Sequence, residues 1–249
     1  MNAVEDWLHQ EQSVPLIYRL HRWFFAGCIV GGTAATLVSV IANPGYYRPH
    51  TDVTSFIAAF ATANPFLSQT HVISMIFVAY LLPLGLLAMV WLAMRRAPWW
   101  ASSAALLIIL GMFPLAIFAG QDSLSYDIAR MGSHPVLLTL ARQFDTDGVM
   151  SYYNVMFDIG SIFGPTLLGI ALWRARAIPV WAALLITISR PLALLYPLLP
   201  LQWQLGFLVQ IPSCLLLFIG SIPAAVAILK GRGGQDSSES RKGFARGSL

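Results

Sequence analysis

Residues 71–120 read HVISMIFVAYLLPLGLLAMVWLAM, then RRAP, then WWASSAALLIILGMFPLAIFAG. Each apolar run is long enough to cross a hydrocarbon core about 30 Å thick at about 1.5 Å of rise per residue. Between them Arg95 and Arg96 sit in a link too short for anything but a hairpin turn, and Pro98 restarts the helix where its fixed φ suits a first turn. The reading is therefore a pair of antiparallel membrane helices, and the same grammar extends to both sides.

Six apolar runs of this kind lie near 22–43, 71–94, 98–120, 151–173, 178–199 and 204–229. Composition agrees, with 57% hydrophobic and 10% charged residues against about 45–50% and 25% in a soluble domain. The expected fold class is all-α: a polytopic bundle of six transmembrane helices with two long outer loops containing short helices. The expected organisation is a leader over 1–21 that forms an interfacial helix, a membrane domain over 22–230 and a disordered tail over 231–249. In the leader, Trp7, Leu8, Val14, Ile17 and Tyr18 alternate with charges as a surface helix would.

Basic residues set the direction. Arg19, Arg22, Arg95, Arg96, Arg174, Arg176, Lys230 and Arg232 flank one set of span ends, whereas the other set carries Asp52, Asp122, Asp127, Asp145 and Asp147 with few arginines. The positive-inside rule then makes both termini cytoplasmic, in a bacterial inner membrane. Positive charge placed in this way orients helices, and nucleic acid is not an expected partner. The lipid bilayer is. The outer connections, at about 27 and 30 residues, exceed simple turns; 53–63 and 134–144 are apolar enough to cap the bundle as lids.

The functional lead is polarity inside the spans. Counted from the outer boundary, Asp158 lies about 12 Å down the fourth run and Arg190 about 15 Å down the fifth. A charge at such depth costs about 2.5–3.5 kcal/mol on insertion scales, which predicts an Asp158–Arg190 contact. Asn154 and Ser161 share the face of Asp158 at helical spacing. Gln210, with Gly206 and Ser213, occupies a similar depth on the sixth run. His71 with Ser74, and Gln121 with Asp122, ring the same level.

The expected site is an outward-facing polar pocket for a small amphiphilic or lipid ligand. Arg190 meets an anionic or carbonyl group, Asp158 orients Arg190, and Asn154, Tyr153, Gln210, His71, Gln121 and Ser213 supply hydrogen bonds. Two other classes stand beside it. One is an intramembrane isomerase or cyclase on a lipophilic substrate, with Asp158 or Asp122 as the acid. The other is a structural subunit of an oligomer or membrane complex, in which the Asp–Arg pair only fixes helix register and the small-residue face of Gly27, Gly31, Gly32 and Ala35 packs.

Neither metal nor cofactor is expected. A zinc site from His71, His134 and an aspartate has the right ligand types, but no two histidines share a helix face at metal-ligand spacing. Cys28 and Cys214 lie in apolar runs and read as packing residues. Nucleophile-elbow, zincin, Walker and dinucleotide motifs are all missing.

Through the run Gly164-Pro165-Thr166-Leu167-Leu168-Gly169, followed by Arg174, Ile178-Pro179 and an apolar span, the C-terminal part of the chain resembles six-helix bacterial integral membrane families of unknown function. The resemblance implies a membrane bundle, and implies no activity or site residues.

Overall fold

The computed structural model describes residues 16–47, 52–194 and 203–231, with only the backbone described for Tyr47 and 203–206. Among the described residues the chain is helical throughout, without strands. The elements are α1 (Leu16–Ala42), a 3-10 turn (Pro44–Tyr47), α2 (Val53–Thr62), α3 (Pro65–Met94), α4 (Pro98–Met112), α5 (Leu115–Arg130), α6 (Pro135–Asp145), α7 (Gly148–Arg174), α8 (Val180–Ala193) and α9 (Trp203–Leu229). Five stretches are long and apolar enough to cross a membrane: α1, α3, α4 with α5, α7, and Phe207–Leu229 of α9. The protein is a multi-pass membrane protein by this measure. The expected fifth span, 178–199, is helical over Val180–Ala193, and 195–199 lies outside the described residues. So do 1–15 of the expected leader and 232–249 of the tail; α1 runs unbroken from Leu16, with no boundary at residue 21.

Helix ends follow local chemistry. Asn64 accepts the Phe66 amide at 2.9 Å and Pro65 opens α3. Asp147 caps α7 through Val149, at 3.3 Å. The third run is interrupted at Phe113–Pro114, since proline offers no amide to the preceding turn; the Pro114 carbonyl then accepts Ile117 and Phe118 to begin α5.

Apolar surface gives helices no reason to associate in lipid, so close backbone packing must do so. Glycines line the seams. A Cβ on Gly32 of α1 would sit 2.6 Å from the Leu82 amide of α3, and one on Gly85 of α3 would sit 2.7 Å from the Cys28 carbonyl of α1. Gly111 of α4 meets Gly160 of α7 backbone to backbone, and Gly220 of α9 faces the Ala182 carbonyl of α8 at 2.9 Å. Of the small-residue face on α1, Gly32 serves this packing, a Cβ on Gly31 would lie 3.3 Å from a Leu81 methyl, and Gly27 has open space beside it. The outer faces carry exposed apolar side chains, among them Trp23, Phe77, Tyr80, Trp99 and Ile188, as contact with a bilayer requires.

The bundle has two unlike ends. At the hairpin end, α3 turns into α4 and α7 into α8, and the Arg174 guanidinium stacks on Trp100 at 4.9 Å. At the cap end, α2 and α6 lie over α3 and α5 and bury a second apolar cluster of Val53, Ile57, Phe60, Val72, Ile128, Ala129 and Ala141. Polar ties fix this cap. Arg142 of α6 bridges to Asp52 at 3.1 Å, and Gln121 of α5 donates to Asp145 at 3.0 Å.

Candidate functional site

Beneath the cap is a cavity of about 190 Å³, enclosed by α1, the 3-10 turn, α3, α4, α5, α7, α8 and α9. Its lower wall is apolar, with Val78, Leu82, Leu86, Met112, Leu115, Phe157 and Leu217. Polar groups gather elsewhere: Thr36, Ser39, Asn43 and Tyr46 from the end of α1 and the turn, His71, Asp122, Ser161, Arg190 and Gln210.

His71, only 2% exposed, is held from both sides. Its Nδ1 lies 2.9 Å from the Ser39 carbonyl. That carbonyl belongs to the last turn of α1, where the ladder runs out; the Asn43 amide turns to Val40 instead, at 3.4 Å. A carbonyl only accepts, so Nδ1 carries the hydrogen. Nε2 then faces Asp122 Oδ2 at 3.3 Å. A proton on either Nε2 or Oδ2 would bridge the two residues; without it a bare nitrogen faces a carboxylate.

Arg190 is the cation of the cavity. Its Nε donates to the Ser161 carbonyl at 3.1 Å. No carboxylate among the described residues forms an ion pair with it, and the expected Asp158–Arg190 contact is absent. The register explains why. Counted from the short link between α7 and α8, Arg190 is about 15 Å along α8 and Asp158 about 24 Å up α7, whereas Ser161 is about 20 Å up. The guanidinium therefore reaches the turn below Asp158.

The predicted residues thus separate. His71, Arg190 and Gln210 come together at the cavity, as does Asp122. Gln210 Oε1 is buried without a donor. Asp158 and Asn154 lie exposed on the bundle surface, and neither lines the cavity; Tyr153 packs at a tilt against Tyr152 with ring centres 6.0 Å apart. Gln121 is committed to Asp145, and the buried Ser213 donates to the Ser189 carbonyl at 2.7 Å. The sequence reading missed Thr36, Asn43 and Tyr46, although Thr36, Ser39 and Asn43 mark one face of α1 at helical spacing.

The chain matches no known protein family, no curated protein and no solved structure. The site must therefore be read from its own chemistry. Among the described residues no cluster of three metal-ligating side chains occurs.

Proposed function

We propose that the chain is a six-span membrane protein whose cap-end cavity binds a small amphiphilic anion. The sixth crossing is the one that contains α8. Supporting this, the chain leaves the hairpin end at Val180 and is back at the cap end by Phe207, whose ring lies 6.1 Å from Tyr46. An even number of crossings brings both termini to the hairpin end, and the arginines there make it cytoplasmic in a bacterial inner membrane. The cavity then opens outward, beneath the cap.

One observation carries the ligand reading: Arg190 sits in a largely apolar cavity with no carboxylate at ion-pair distance among the described residues. A cation at that depth is costly until an anion joins it. The leucines below suit a short hydrocarbon tail. An engineered cavity of about 150 Å³ holds benzene, so the present one suits a molecule of roughly eight heavy atoms. Hexanoate has that size.

The test is calorimetric titration of the full chain in nanodiscs with hexanoate and with hexanol, against empty nanodiscs. Hexanoate is expected to bind about tenfold tighter than hexanol, at the scale of a hydrogen bond to a charged group, and Arg190→Gln to erase the difference. Equal binding of acid and alcohol to the wild type would overturn the reading.

A second reading, an intramembrane enzyme that protonates a lipophilic substrate, is favoured by the His71–Asp122 pair alone. It assigns the acid to Asp122 in the cavity, and not to Asp158 on the surface.

A further inference from the structure

Among the described residues lining the cavity, the groups that carry or share charge are Arg190, His71 and Asp122. The other polar lining groups (Thr36, Ser39 and Asn43 at the end of α1, Tyr46 of the turn, Ser161 of α7, and Gln210 and Cys214 of α9) are ordinarily neutral. Helix α4 contributes only Met112. From α2 the ring of Phe60, 6.0 Å from His71, closes the side of the imidazole, and Tyr126 of α5 lies beyond that ring. Asp145 of α6 is turned to Gln121.

Charge balance in this space has a consequence for any anion that enters. Without a proton between Nε2 and Oδ2, the His71–Asp122 pair would carry one negative charge, which balances the single positive charge of Arg190 in the same cavity. An anion on Arg190 takes over that role. The pair would then leave an excess negative charge in a low-dielectric cavity, unless it regains the proton between Nε2 and Oδ2. The geometry holds a place for that proton: Nδ1 is fixed as a donor by Ser39, and Nε2 faces Oδ2 without an aligned hydrogen bond, at 3.3 Å.

We infer that the His71–Asp122 pair is a proton-binding site coupled to Arg190, so that the cavity takes up a small apolar carboxylate together with one proton. This rests on the anion reading above and adds the coupling. No bond to carbon is made or broken; the proton comes from solvent and returns to it on release. Asp158, which acts on Arg190 through space from outside the lining, is the rival counter-charge and supplies the control.

The experiment uses the full chain in nanodiscs with hexanoate as the probe. Calorimetry in two buffers of different ionisation enthalpy counts protons taken up, and the titration is repeated from pH 6 to pH 9. The wild type is expected to take up as much as one proton per hexanoate. Its affinity falls by up to about tenfold per pH unit where the pair gives up its proton. In Asp122→Asn an amide N–H replaces the shared proton permanently; uptake vanishes and affinity stays at the low-pH value. His71→Gln removes the ring that shares the proton and leaves the Asp122 carboxylate, so it is expected to flatten the profile at the weak, high-pH affinity, and Asp158→Asn to leave proton uptake unchanged. Tight hexanoate binding without proton uptake would overturn the coupling and leave the anion site standing. A pH slope that persists in both pair variants, or that disappears in Asp158→Asn, would also overturn it. Absence of hexanoate binding to the wild type would remove both readings.

Discussion

Substituting Gly160 by alanine tests whether backbone contact between α4 and α7 holds the bundle. A Cβ on the facing residue, Gly111, would lie 2.6 Å from the Gly160 carbonyl carbon and 2.8 Å from the Ser161 amide, and one on Gly160 would run into the Gly111 backbone and the Leu107 carbonyl. Comfortable carbon contacts begin at about 3.5 Å, so the helices must part by roughly 1 Å. The obstructing atoms are backbone and have no rotamer to yield. Overpacking costs about 1–3 kcal/mol, here toward the upper end, while alanine returns about 1 kcal/mol of helix propensity. The net expectation is a loss of about 2 kcal/mol.

Gly27→Ala and Gly120→Ala are the controls, because a Cβ there meets nothing within 4 Å. Each should be neutral or gain up to about 1 kcal/mol. The assay is equilibrium unfolding in mixed detergent–SDS micelles, followed by fluorescence of the 8 tryptophans. Chemically identical substitutions are thus expected to move stability in opposite directions. A second readout is linked to the first: displacing α7 draws the Ser161 carbonyl away from Arg190, so hexanoate binding should weaken in Gly160→Ala and not in Gly120→Ala. If Gly160→Ala is as well tolerated as Gly120→Ala, the seam is not what holds α4 to α7.

The cap and one helix–helix hydrogen bond give two more expectations. Asp52 accepts the Ser55 amide and the Thr54 hydroxyl, at 2.9 and 2.8 Å, and also meets Arg142. The Ser55 amide above all, with the Ser55 and Thr54 hydroxyls and Arg142, holds the carboxyl well below the usual carboxylate range. Because the folded-state value is depressed, the capping contribution is full above about pH 4, the unfolded-state value, and fades as pH falls toward the folded one. Hydrogen exchange in α2, corrected for intrinsic rate, should then be flat from pH 8 to about pH 4, and Asp52→Ala should speed it several-fold throughout; protection already declining between pH 7 and pH 5 would refute the assignment. On α1, Thr33 Oγ1 bonds the Ile29 carbonyl at 2.8 Å as well as Ser221 of α9 at 3.2 Å, so Ser221→Ala leaves it satisfied. The same SDS titration should show a loss of only about 0.6 kcal/mol, and a loss several times larger would mean that this bond holds α9 in place.

The membrane-spanning elements were legible because the bilayer imposes a length on each run, and that demand is written in composition. Of the residues singled out within the spans, His71, Asp122, Arg190 and Gln210 line the cavity, whereas Asp158, Asn154 and Tyr153 do not. Pairings between helices fared worse. The Asp158–Arg190 expectation measured both depths from an outer boundary that neither helix is tied to. The tie lies at the other end, where Ala175 and Arg176 close the turn after α7 and Pro179 opens α8. Depths counted from that link differ by about 9 Å, so the information was present in the sequence but read from the wrong origin.

The partner of His71 was hidden for a different reason. What fixes its tautomer is the backbone carbonyl of Ser39, and every residue type has one; only the end of α1 leaves this one without an amide. No pattern of side chains announces it. The break at Pro114, by contrast, is visible in sequence, and it separates Met112 on the apolar wall from Asp122 at the polar rim within one membrane crossing. Once the Ser39 carbonyl occupies one imidazole nitrogen, the other faces the Asp122 carboxylate across one place for a proton. Arg190, bonded to Ser161 and without a paired carboxylate among the described residues, is left as the group that, in the proposed function, an incoming anion satisfies. The ionic pairing chosen in this bundle therefore follows from two main-chain carbonyls, those of Ser39 and Ser161, which draw His71 and Arg190 to separate partners and keep the site's positive charge available.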